Sequence, residues 1–229
     1  MTNCKDRKIR EAYRLLFKEQ ESIVTFVELI KNRINAQKHA GMQLFSDRIS
    51  TTKPAIGGCT NKFGDEMWAW DYFPAYMYMY YFDLVQEKGN NACFAIIQIM
   101  DDGSFCLKNP NGIAPDPDEF KDTKDSQSYF LFAFSKWDNK EKKIWFDYKG
   151  EERIKEVSDR IIRIANEINQ KTDKIYFLND DSNSSFVVRK IDYNIIEDES
   201  KANTVLDNFE KIIRDKCNYC SFLKKNSEL

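Results

Sequence analysis

Ile9, Tyr13, Leu16, Gln20, Ile23, Val27, Ile30 and Ile34 are spaced 4-3-4-3-4-3-4. That interval returns side chains to one face of an α-helix. Seven of the eight are apolar, and charged residues such as Arg14, Lys18 and Glu21 lie on the other side. No Gly or Pro interrupts the run before Gly41, a natural C-terminal stop. The pattern predicts one long helix from about Cys4 to about Lys38. A stripe of this length has to be covered. Its own sheet can do so, or the stripe can form the seam of a homodimer.

The chain has material for that sheet. Aromatic residues make up 14% of its 229 residues, and hydrophobic residues 42%. Such a content is ample for a core and argues against disorder. Only 8 Gly and 5 Pro exclude a collagen-like or linker chain. A chain of this size buries most of its unfolded-state surface without metal or disulfide staples.

The aromatics are clustered. Trp68 to Phe82 holds nine in 15 residues, and Tyr129 to Tyr148 eight in 20. Tyr76–Gln86, Ala92–Met100 and Ser104–Lys108 read as strands. The turn Asp101-Asp102-Gly103 is a tight-hairpin signal. Tyr129–Trp137 and Lys143–Lys149 flank Asp138-Asn139-Lys140 and read as a second hairpin. A helix is expected over residues 151–171, through Ile154, Val157, Ile161, Ile164 and Ile168. Lys174–Asn179 and Phe186–Tyr193 surround Asp180-Asp181-Ser182-Asn183 as a third hairpin. A last helix is expected from residue 199 to about 220. Strands cluster instead of alternating with helices, which argues α+β. The expected architecture is one domain over residues 1–229. It has a mainly antiparallel sheet of about five to seven strands, the long N-terminal helix and two further helices.

Charge and rare residues exclude several functions. Thirty-five Lys and Arg against 37 Asp and Glu give a net charge of −2, with no overall basic bias toward polyanions. The one histidine, His39, excludes any two-His metal site. Six cysteines in a chain this long are no disulfide scaffold. Cys217 and Cys220 make half of a C-x₂-C…C-x₂-C zinc pattern, with no second pair. The N-terminus has no apolar signal segment, and no run approaches the length of a membrane span. A cytoplasmic protein with free thiols, no membrane partner and no cofactor is expected.

Two constellations carry a functional expectation. The first is Trp68, Trp70, Asp71 and Tyr72, beside a Gly-rich loop. Trp and Tyr give large, rigid contact area with a polar handle and are enriched in binding hot spots. They point to a bacterial or phage type of interaction protein, of the toxin-neutralising or defence-related sort. Its partner would be a protein or a small molecule, bound around residues 67–82. Core rings, with Asp71 capping a turn, are the competing reading.

The second is Ile144-Trp145-Phe146-Asp147-Tyr148-Lys149, an apolar strand ending in Asp-x-Lys ahead of Gly150. It resembles the strand end of the PD-(D/E)xK nucleases. The resemblance implies Mg²⁺-dependent cleavage of nucleic acid. Asp147 and a second acid, Asp125 or Asp122, would hold the metal, and Lys149 would position the attacking water. Glu11 or Glu28 would be an extra ligand. The resemblance covers about half the chain as a pattern of elements. It departs from the family in having no Pro-Asp pair where that acid belongs. Binding is the first expectation and the nuclease the alternative.

Overall fold

The computed structural model describes residues 4–35, 43–46, 77–84, 90–101, 122–138, 164, 167–168, 175–179 and 185–224. The first element is helix α1, Cys4–Arg33. The strands are β1 Gln43–Ser46, β2 Met77–Asp83, β3 Asn90–Asp101, β4 Gln127–Asp138, β5 Ile175–Asn179 and β6 Ser185–Asp192. A 3₁₀ turn, Tyr193–Glu197, leads into helix α2, Glu199–Cys217. The strand order is β1-β2-β3-β4-β6-β5. Every pairing is antiparallel.

Strand period sorts the sheet's two faces. Phe94 and Ile96 of β3, Phe130, Phe132 and Phe134 of β4, and Val187 and Ile191 of β6 face the helices. Phe26 of α1 lies 5.2 Å from Phe130 and 6.4 Å from Phe132, between ring centroids. Phe209 of α2 lies 5.7 Å from Phe132 and 6.1 Å from Phe94. Phe132 therefore joins both helices to the sheet. Ring pairs at these distances add about 0.5–1.5 kcal/mol each to the area they bury. The other face of β3 and β4 is also closed to water, with Cys93, Ala95, Ile97, Leu131 and Ala133 all buried.

The mixed α+β character holds, but the expected layout is corrected. Among the described residues there are two α-helices, not three. The strands whose side chains are described along nearly their full length are three, the antiparallel centre β3-β4-β6. Of the helix expected over 151–171, only Ile164, Glu167 and Ile168 are described; they are helical, and both isoleucines are buried.

The hairpin partners expected after β3 and β4, Ser104–Lys108 and Lys143–Lys149, lie outside the described residues. Both edges of β3 are taken, by β2 and β4. Both edges of β4 are taken, by β3 and β6.

The helices also end earlier than their sequence pattern. Ile34 forms an antiparallel bridge with Leu223. The Asn35 N–H donates to the Phe222 carbonyl at 2.7 Å, which draws the chain out of helical geometry. Helix α2 begins at Asp198, whose carboxylate accepts the Lys201 N–H at 3.0 Å. It ends where Asn218 adopts the left-handed region, φ 48° and ψ 49°, which Asn tolerates better than most residues.

Candidate functional site

The candidate residues named from the sequence fall unevenly on the structure. Trp68, Trp70, Asp71 and Tyr72 lie outside the described residues, as do His39, Asp147 and Lys149. Of the same aromatic segment, Tyr80 and Phe82 are described and are core, 0% and 3% exposed.

Asp125 is exposed in the turn ahead of β4. The Asp125 N–H donates to the Asp122 carbonyl at 2.8 Å. Asp122 shapes that turn through its own side chain, which accepts the Lys124 N–H at 3.2 Å. Glu11 pairs with Arg7 at 3.3 Å on the surface of α1. Glu28 is also exposed, and about 25 Å of helix separates the two glutamates. Among the described residues no group of three His, Cys, Asp or Glu could hold a metal ion.

Cys217 and Cys220 sit in opposite surroundings. Cys217 is buried and Cys220 exposed. Burial pushes the Cys217 thiol up to about 11, against the smaller opposing effects of Ser185, Lys136 and Lys216. Beside it, the nearly buried Lys136 ammonium donates to the Cys217 carbonyl at 2.7 Å. This cation closes the C-terminal end of α2, where carbonyls lack helical partners.

An open groove of about 480 Å³ lies between the two helices, lined by Leu29, Asn32, Arg33, Glu199, Asn203 and Asp207. Its cation is already engaged. Arg33 donates to Asn203 Oδ1 at 2.8 Å and to Asp207 Oδ1 at 2.7 Å. The groove is a clamp between α1 and α2.

What the spacing of the α1 stripe did not show is that its two halves differ. From Ile23 onward the stripe is core: Ile23, Val27, Ile30 and Ile34 are all at most 1% exposed. Ahead of Glu19 the same stripe is bare. Every residue from Asp6 to Lys18 is exposed. Ile9 is 48% exposed, Tyr13 59%, Leu16 40% and Phe17 63%. These 13 residues form a helical arm about 20 Å long. A helix of that length is marginal in water by itself. Here it propagates from an anchored second half, so the nucleation cost is met by the core.

The arm has two unequal sides. At 100° per residue, Ile9, Tyr13, Leu16 and Phe17 share one side with Asp6, while Arg7, Arg14, Lys18 and the 66% exposed Leu15 lie toward the other. Lys8 and Arg10 flank the apolar side. Arg7 pairs with Glu11, and Arg10 with Asp6. Lys8, Arg14 and Lys18 make no ion pair among the described residues. Asp6 to Lys18 carries five basic and two acidic side chains, in a chain whose net charge is −2.

A family model extends over nearly all of this architecture, matching residues 7–218. The chain belongs to the PM0109 family. The PM0109 match takes in the arm from Arg7 onward, the anchored half of α1 and the whole of α2 with its Asn218 cap. No curated protein and no solved structure matches the chain.

Proposed function

We propose that the protein works by docking onto a partner, with the exposed half of α1 as its contact element and the helix-covered sheet as the scaffold holding it. The observation that carries this reading is the break in one continuous apolar stripe. It is buried from Ile23 to Ile34 and bare from Ile9 to Leu16. Exposed large apolar side chains gathered on one side of a helix, beside charged residues, are the usual mark of an interaction surface. The exposed side of a helix is convex, which suits a surface as partner better than a small molecule. The tryptophan segment around residue 70 is a second contact element under the same proposal.

Photo-crosslinking in the cells that make the protein tests it. A crosslinker at Phe17 should give adducts that one at Glu28, exposed on the anchored half, does not. Leu16→Asp should suppress them. Equal yields from both positions would overturn the reading. Mg²⁺-dependent cleavage of DNA or RNA by the purified chain, lost in Asp147→Asn, would replace it with the nuclease alternative.

A further inference from the structure

We propose that the surface the arm docks onto is an anionic lipid surface, so that α1 is at once a core helix and a peripheral membrane anchor. This rests on the docking reading above and names its partner by charge and shape.

The arm has the composition of a helix that lies in a membrane interface: low net hydrophobicity, an apolar side and a polar side rich in Lys and Arg. Ile9, Tyr13, Leu16 and Phe17 would enter the boundary between headgroups and acyl chains. Lys8 and Arg10, on the two flanks, would sit at the level of the phosphates. Arg7, Arg14 and Lys18 lie about one helix diameter, roughly 10–12 Å, away, somewhat beyond the roughly 8 Å Debye length at physiological salt, and contribute less. Lys8, Arg14 and Lys18, which make no ion pair among the described residues, then gain counter-charges. Lying on a membrane is distinct from crossing one. Among the described residues no helix is long and apolar enough to cross.

Area argues against a second copy as the occupant. Two arms of 13 residues laid side by side would cover on the order of a few hundred Å² on each, below the roughly 800 Å² per partner of a stable interface. Both arms would also bring a net positive charge to the contact. A lipid surface needs no matching patch and supplies the opposite charge.

Vesicle flotation of the purified full chain tests this. The chain should float with vesicles of phosphatidylcholine and phosphatidylglycerol in equal parts, and stay below with phosphatidylcholine alone. Binding should fall at least about tenfold between 0.05 and 0.5 M salt. Leu16→Asp with Phe17→Asp should abolish flotation and leave the thermal unfolding curve in place, because both side chains are exposed. Lys8→Glu with Arg14→Glu and Lys18→Glu should weaken it through charge alone. Failure to float with the anionic vesicles would overturn the proposal, as would equal flotation with both kinds. A concentration-dependent dimer that Leu16→Asp dissociates, without flotation, would assign the arm to a second copy. Crosslinks from Phe17 to a protein, without flotation, would sink the lipid partner and leave the docking reading standing. Absence of both would remove the docking reading as well.

Discussion

The Tyr193 ring stacks on Phe130 at 5.1 Å with the planes 5° apart. The Tyr193 hydroxyl lies near enough to Glu19, at the boundary between the exposed and the buried halves of α1, for that carboxylate to raise its pKa. The sheet thus reaches α1 through an aromatic ring and its polar tip. Beyond that point the helix stands in solvent.

Tyr193→Phe removes only the hydroxyl, since the stacking survives. Losing one partly exposed polar contact costs up to about 1 kcal/mol. Urea unfolding should show a lower midpoint at an unchanged slope. The pH dependence has a definite sign. Burial first, and then the Glu19 carboxylate, raise the hydroxyl well above its ordinary value. The folded state therefore holds this proton more tightly than the unfolded chain. The stability difference between wild type and Tyr193→Phe should be constant below pH about 10 and shrink above it. A constant difference up to strongly alkaline pH would contradict the assignment.

Asp198 gives the opposite sign. The Lys201 N–H, before any other cause, holds its carboxyl below the ordinary value. Its contribution is present above pH about 4 and is lost as pH falls through the lower folded-state value. Asp198→Ala should destabilise the protein at neutral pH. Asp198→Asn, itself a good helix cap, should keep most of the neutral-pH stability and lose this part of the acid dependence. Thermal melts from pH 7 to pH 3 distinguish the three chains.

The two nearby cysteines should react differently. A thiol reagent at pH 8 should label Cys220 at once. Cys217, buried and with its thiol pushed up to about 11, should be labelled only on unfolding. Peptide mapping after partial labelling reads this directly. Equal rates would remove the burial of Cys217 and the Lys136 contact beside it.

Phe132 is the side chain whose loss should cost most. It touches Phe26 of α1, Phe94 of β3 and Phe209 of α2. Phe132→Ala should cost about 3–5 kcal/mol. A loss under about 1 kcal/mol in chemical unfolding would mean that the ring does not join the helices to the sheet.

The sequence made some of this legible and hid the rest for physical reasons. The existence of α1 was readable because 4-3 spacing is a local property of a helix. The division of its stripe into anchor and arm was not, because spacing does not say where the covering surface ends. The β5–β6 hairpin was readable from the polar turn between its strands. The β2–β3 pairing was readable from two apolar runs joined by a short polar turn. The pairing of β4 with β3 and β6 was not, because it joins segments far apart in the sequence. Lys136 continues the inward-facing period of Phe132 and Phe134, and only the arrival of the Cys217 carbonyl explains its buried ammonium. Of the residues first singled out for chemistry, Asp122 and Asp125 are turn residues, Glu11 and Glu28 lie on the surface of α1, and Cys217 and Cys220 sit at the end of α2. The tryptophan segment, His39, Asp147 and Lys149 lie outside what the structure describes.

Hydrogen–deuterium exchange along α1 in the isolated protein tests the central claim most directly. Amides of residues 23–33 should be protected up to global unfolding, since their side chains sit in the core. Amides of residues 6–18 should exchange orders of magnitude faster, through local opening of an unsupported helix. Equal protection of the two halves would contradict the account, because it would show that the first half is packed and that no arm is free to dock.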